Sequence, residues 1–217
     1  MLATAAAVLV VAVVVALVVA LRAPADAPPT RTAVGIVGAA PSAPSSPLSE
    51  PTTTVAPDPS CDRVRHGFTP RTISVPGATR GAAIATPPRD AAGIPGTPPL
   101  TQAGKAMFAW DLAQGTRPGD PRGNVIVNAH TWPDGSALGN RLLAALHPGG
   151  RVVVRGKDVR LCYEVTERIE VSADTLLPRY YTQDGPPQLA ILACSGKRLG
   201  PGLWTKRTVW FASPVSG

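Results

Sequence analysis

The sequence predicts a mainly β protein whose folded part is a closed barrel of about eight strands with one or two short helices. Three observations lead there. Apolar runs of five to seven residues recur from Arg71 onward, the length of strands rather than of helices. Pro- and Gly-rich stretches separate them and exclude long helices. One segment, Ser136–Leu146, carries a convincing helical pattern, and it ends at Pro148-Gly-Gly150.

The elements follow in chain order. Leu2–Leu21 is a run of 20 residues, all Ala, Val or Leu except Thr4, with no charge. As a helix it would span about 30 Å, the thickness of a bilayer core. A cleaved secretory leader is the competing reading, with Ala25-Asp-Ala27 as its cleavage site. The apolar core is longer than such leaders carry, and no basic segment precedes it. The run therefore reads as an uncleaved transmembrane anchor over residues 1–21. Residues 22–62 read as a Pro/Ala/Ser-rich linker, as in Ala40-Pro-Ser-Ala-Pro-Ser-Ser-Pro47. That composition buries too little apolar area to offset its ordering entropy, so a disordered, extended spacer is expected. The folded domain is expected over 63–217.

Within the domain, Arg71-Thr-Ile-Ser-Val75 alternates and reads as the first strand. Gly81–Leu100, with Thr86-Pro-Pro88, Ile94-Pro-Gly96 and Thr97-Pro-Pro99, reads as loops between short strands. Lys105–Trp110 is a further apolar run. Arg117-Pro-Gly-Asp-Pro121 turns the chain into Gly123-Asn-Val-Ile-Val-Asn-Ala-His130, a strand ending at a histidine. Arg151–Arg155 and Val159–Val165, joined through Gly156-Lys-Asp158, read as a β-hairpin that Ile169–Val171 extends. Asp174–Pro187 reads as a long loop. Gln188-Leu-Ala-Ile-Leu-Ala-Cys194 is a buried strand ending at Ser195-Gly196, and Thr208–Ala212 is the last.

Charge narrows the function classes. From Cys61 onward there are 19 Lys/Arg and 11 Asp/Glu, a net +8. This is a basic, solvated surface, able at most to draw weakly on anionic wall polymers or lipid headgroups. No dense Lys/Arg stripe and no nucleic-acid motif is present, so nucleic acid is not an expected partner. Glu164, Glu167, Glu170, Asp174 and Asp184 match no regular calcium-loop spacing and read as a solvated acidic face. No metal and no cofactor is expected.

The chemistry concentrates in His130, Cys194 and Arg207. Three strands that each begin or end in a reactive side chain can bring a thiol, an imidazole and a guanidinium to one edge of a sheet. Such a set performs acyl transfer: Cys194 as thiolate nucleophile, His130 as proton donor and acceptor, Arg207 as oxyanion stabiliser. An electropositive strand end is expected to lower the thiol pKa. His66, at the linker boundary, and His147, in a His-Pro-Gly turn, are poorer candidates, and Lys206 and Arg198 are rivals of Arg207.

These residues resemble the sortases, the membrane-anchored cysteine transpeptidases of Gram-positive bacteria. The resemblance covers roughly Thr69–Ala212. It rests on the order His, Cys, Arg, on a His–Cys separation of 64 positions and on a Cys–Arg step of 13. Asn128-Ala-His130-Thr131, Ser136-Ala-Leu-Gly-Asn140 and His147-Pro-Gly-Gly150 look like the family's histidine loop, short helix and turn. Where the family carries Thr-Leu-x-Thr-Cys, this chain has Ala190-Ile-Leu-Ala-Cys194, so a hydroxyl that helps orient substrate is absent at Ala193. The resemblance implies cleavage of an LPXTG-like sorting signal on secreted proteins through a thioacyl-enzyme, and transfer to a peptidoglycan-precursor amine. It also implies a single-pass protein of the cell membrane with its catalytic domain outside. The Ala/Pro/Arg-heavy composition and the single anchor with its proline-rich linker look like the actinobacterial type, classes E and F. Arg22 and Arg31 after the span favour the opposite orientation by the positive-inside rule; a basic leader ahead of Met1 would reconcile the two.

Two other function classes compete. L,D-transpeptidases also place His before Cys, but with Gly directly before the cysteine and Arg close after it, unlike Ala193 and Arg207. A non-catalytic β-barrel binding peptides or wall components is compatible with the alanines. Cys61 and Cys162 remain. An oxidised pair would leave Cys194 free outside the cell. The strand face that Cys162 shares with Glu164 and Thr166 argues for two unpaired thiols.

Overall fold

The computed structural model describes residues 61–215. The anchor expected over 1–21 and the linker up to residue 60 lie outside the described residues. Among the described residues eight strands run β1 Thr72–Val75, β2 Thr79–Ala85, β3 Phe108–Trp110, β4 Asn124–Ala129, β5 Arg151–Arg155, β6 Arg160–Ser172, β7 Gln188–Gly200 and β8 Leu203–Val215, with one α-helix, α1, over Leu138–Ala145. They close into a barrel in the order β1-β2-β3-β4-β7-β8-β6-β5. The β2–β3 and β4–β7 pairs are parallel and the others antiparallel. The expected mainly β barrel is what forms. Among the described residues no helix is long and apolar enough to cross a membrane.

Alternation along the strands sorts side chains between two cores. Val125, Val127, Ala129, Leu189, Ile191, Ala193, Trp210 and Ala212 fill the interior. Ile126, Ala190, Val209 and Phe211 stand on the outer face, where Tyr180 covers them. The wall made by β4, β7 and the Val209–Ala212 part of β8 is therefore buried on both sides, which is why these strands read as largely apolar runs, with Asn124 and Asn128 as buried polar residues in β4. Leu138, Leu142 and Leu146, spaced by one helical turn, seat α1 in the interior core, and the Trp210 indole N–H donates to the Leu146 carbonyl at 2.8 Å.

Three local readings change. β2 falls partly in a stretch expected to be loop, because Thr79–Ala85 pairs through its backbone while presenting few large apolar side chains. β7 and β8 do not stop near Cys194 and Arg207; they continue as a ladder to Gly200 and Leu203, so both residues lie within a long hairpin. The bulges after Ser195 and Arg198 and the exposed, basic composition of this extension hide it from apolar periodicity. Finally, Cys61 and Cys162 form a disulfide, with Cα atoms 5.6 Å apart. Cys162 does share the outer face with Glu164, but that face is not uniformly wet. Cys61, Val153 and Val215 cover Cys162 while Glu164 stays exposed.

Candidate active site

The ladder registers bring the three expected residues together. In the parallel β4–β7 pair Ala129 stands opposite Ala193, so the next residues, His130 and Cys194, reach the same level. In the antiparallel β7–β8 pair Cys194 stands directly opposite Arg207. All three project to the outer face, continuing the rows Ile126–Asn128, Ala190–Leu192 and Phe211–Val209. They open onto one cavity of about 810 Å³. Its floor is the outer face of the wall. One side comes from the β2–β3 segment, with Ile94, Pro95, Thr97 and Leu100, and the other from the β6–β7 connection, with Asp174–Leu177, Tyr180 and Tyr181.

Buried polar contacts fix both sides. Arg89 grips the Asp111 carboxylate through Nε and Nη2, the latter at 2.6 Å, and reaches Gln114 Oε1 at 2.9 Å. Gln114 in turn donates to the Tyr181 carbonyl, and Asn124 Nδ2 donates to the Arg179 and Tyr180 carbonyls. Bidentate guanidinium–carboxylate geometry at a buried carboxylate holds better than a surface ion pair.

His130 follows the last residue of β4 and is held by what comes after it. The Gly139 N–H, in the first turn of α1, donates to the His130 carbonyl at 2.7 Å. A Cβ on Gly139 would lie 2.5 Å from that oxygen, so only glycine permits the approach. The Asn140 carboxamide clasps the Trp132 backbone, accepting from its N–H and donating to its carbonyl. Lys105 Nζ lies 4.2 Å from the Trp132 ring centroid and 2.9 Å from Asp134. The Lys105 contact, with Ser136 donors, brings the Asp134 carboxyl down to about 2. On the ring itself, His130 Nε2 is 2.6 Å from the Pro98 carbonyl. A carbonyl only accepts, so Nε2 carries a proton, and of the two neutral tautomers only the one with its lone pair on Nδ1 fits this contact.

Cys194 is the one free cysteine among the described residues and is half-buried. The Thr131 hydroxyl donates to its carbonyl at 2.7 Å, tying the histidine loop to β7. Behind it, the buried Thr208 hydroxyl donates to Ser195 Oγ. Burial pushes the Cys194 thiol up, and the Arg207 guanidinium pulls it partly back. The expected depression of the thiol does not occur, because removal from water outweighs a single cation on a half-solvated strand. The family threonine position at Ala193 faces the barrel interior and is fully buried, so its methyl is a core contact rather than a groove contact. Ala190 lies on the outer face in the cluster that Tyr180 covers.

The rivals are placed differently. Lys206 pairs with Glu170 at 2.6 Å. Arg198 lines the cavity further out along the hairpin. His66 is exposed, and His147 contacts the Ala144 carbonyl and Arg168. Two of the acidic-face carboxylates are engaged as well, Glu167 with Arg179 and Glu170 with Lys206. Thr131, Gly139 and Asn140 lie in the segments that carry the resemblance, but the sequence assigns them no supporting role. The available signal was a glycine inside the one helical pattern, which asks for a packing reason.

No family model matches the chain, and no curated protein matches it. Solved structures do. The complex of Streptococcus agalactiae sortase C1 and MTSET is 13% identical over 67% of this chain and 68% of its own, with a TM-score of 0.50. The pilus-related sortase C of Group B Streptococcus is 16% identical over 67% of this chain and 66% of its own, also at 0.50. Sortase C1 of the GBS Pilus Island 1 gives 13% identity, 67% and 65% coverage, and 0.50. At such identity the likeness is one of fold: the barrel is built as sortase barrels are.

Proposed function

We propose that the protein is a sortase-like cysteine transpeptidase of the actinobacterial class E/F type. In this reading it is anchored by residues 1–21, spaced by the linker 22–62, and displays its catalytic domain (63–217) outside the cell membrane. One observation carries the reading: His130, Cys194 and Arg207 share one level of three adjacent strands and open onto one cavity. The sortase fold of the neighbours supports it.

The reaction follows from the groups present. The Cys194 proton passes to His130, and the thiolate attacks the carbonyl of the scissile bond in an LPXTG-like sorting signal, forming a C–S bond. The Arg207 guanidinium offers its donors to the oxyanion. The imidazolium gives its proton to the departing amine as the C–N bond breaks. A cell-wall amine, of a peptidoglycan precursor, then attacks the thioester and gives a proton to His130, forming a new C–N bond as the C–S bond breaks and the thiolate is released. Burial of the Cys194 thiol disfavours the thiolate, and the Arg207 guanidinium partly restores it.

Mass spectrometry on the protein incubated with LPXTG-like peptides tests this. The expected result is an acyl adduct on Cys194 that is absent in Cys194→Ala and moves to an added glycine or diaminopimelate amine. A folded protein that gives no adduct, and whose Cys194 does not react with a charged methanethiosulfonate, is a peptide-binding barrel instead.

A further inference from the structure

The β7–β8 hairpin extends past the reactive residues into a tip with no role in the chemistry above. It reads Lys197-Arg198-Leu199-Gly200-Pro201-Gly202-Leu203-Trp204. The ladder closes at Gly200 opposite Leu203, and Gly202 takes φ +69°, as the residue after a turn proline requires. Leu199 is 66% and Leu203 61% exposed, and neither lines the cavity, whereas Arg198 and Trp204 do. Lys197 and Arg198 have no carboxylate partner among the described residues, and no Asp or Glu occurs after Asp184. The tip thus presents two bare leucines, a half-exposed tryptophan and unpaired cations on one short, turn-ended ribbon. A water-facing hairpin does not need this composition, but an interfacial one does: apolar side chains enter the acyl boundary while Lys and Arg meet phosphate.

We propose that this tip docks on the surface of a bilayer carrying anionic headgroups, and so turns the cavity mouth toward the membrane. The occupant follows from charge and from the rest of the chain. The charge of the tip complements anionic lipid. The inference rests on the reading of residues 1–21 as a membrane anchor. The chain enters the barrel at Cys61, on the end of β6 remote from the tip. The 39 residues from 22 to 60 can extend to about 130 Å, enough to pass the length of a 13-residue strand and let the far end meet the same membrane.

The full-length protein is reconstituted in phosphatidylglycerol–phosphatidylcholine vesicles whose acyl chains are brominated near the headgroup, and tryptophan emission is read. Trp110 and Trp210 are buried, and the half-buried Trp132 is present in both proteins, so the difference between wild type and Trp204→Phe isolates the tip. The expected result is bromine quenching of a Trp204 component that Leu199→Ser with Leu203→Ser removes. Lys197→Glu raises the phosphatidylglycerol content needed for half-maximal quenching by at least about twofold. The double serine variant keeps its alkylation rate at Cys194. Equal quenching in wild type and Trp204→Phe overturns the proposal, even where flotation shows the protein on the vesicles and the anchor reading stands. Failure to float overturns anchor and tip together. A tip that binds soluble anionic polymer or a protein, with no bromine quenching, overturns the lipid assignment. None of these readouts needs catalysis, so they stand or fall apart from the transpeptidase reading.

Discussion

Cys162 and Cys194 both stand on the outer face of the same barrel, eight residues of β8 apart by register, on the order of 27 Å. At one end Cys162 lies wholly buried under Cys61 in a disulfide. At the other, Cys194 is half-buried, faces a guanidinium and opens onto a cavity. What covers each residue differs, not the strand that carries it. A covalent cover makes the first a fastener. A cover of hydrogen-bonded segments, the β2–β3 loop over His130 and Tyr180 on the wall, leaves the second able to meet another molecule. Outward-facing positions on a closed barrel are thus the ones free to take different roles.

Exchanging the two ends by mutation is the strongest way to break this contrast. Cys194→Ala lowers peptide turnover by at least about a thousandfold and leaves the melting temperature unchanged, read by cleavage assay and thermal scan. Cys61→Ala with Cys162→Ala does the reverse. Opening a bridge across 101 residues costs about 3–5 kcal/mol of stability, and reductant reproduces the loss in wild type only. The rate of Cys194 alkylation below the melt stays as it was. An activity loss larger than the stability loss in this pair would join the two ends that the register separates.

The remaining predictions sharpen the contrast at the reactive end. Gly139→Ala places a Cβ 2.5 Å from the His130 carbonyl oxygen. Turnover falls about ten- to a hundredfold, and the melting temperature falls as well, because the clash with a backbone carbonyl outweighs alanine's better helix propensity. The alkylation rate of Cys194 rises with pH through a midpoint above the ordinary thiol value, since burial disfavours the thiolate. Arg207→Ala removes the cation that opposes burial, moves the midpoint further up and slows alkylation at neutral pH by about tenfold. The smallest effect belongs to Ala193→Thr. Its hydroxyl enters the interior core, costs about 1–3 kcal/mol by crowding and unpaired burial, and brings no gain in turnover. A gain would mean that position 193 reaches the groove.

Much of this architecture is legible in the sequence where both faces of a strand are dry. Val125–Ala129, broken only by Asn128, and Leu189–Ala193 are apolar runs because one side packs inside and the other beneath Tyr180 or a loop. Their ends therefore mark His130 and Cys194. The outer half of the β7–β8 hairpin is not legible this way. Its ladder is made by backbone groups, and its side chains follow solvent rather than a core. Thr79–Ala85 escaped for the same reason. The disulfide escaped because alternation predicts which face a residue occupies but not what later folds over it. The thiol's upward displacement escaped because residue types and spacing reveal the neighbouring cation, whereas the degree of burial exists only in three dimensions. Gly139 and Asn140 act through the backbone of His130 and Trp132, contacts that leave no trace in hydropathy.

The bridge at Cys61 also decides how the molecule carries tension. A pull on the chain ahead of Cys61, opposed at the C-terminal strand, passes through the sulfurs straight into β6. There it meets the antiparallel ladder between β6 and β8 at its Cys162–Val215 end, where the two loaded residues stand opposite each other, so the ladder is peeled open pair by pair from there toward Ser172–Lys206. Residues 62–161, which include β1 to β5 and α1, sit inside the covalent loop and bear none of it. β1 cannot be peeled away first, although it is the first strand of the chain. Only the residues after Cys162 can be drawn out, and the histidine loop keeps its shape until that ladder yields.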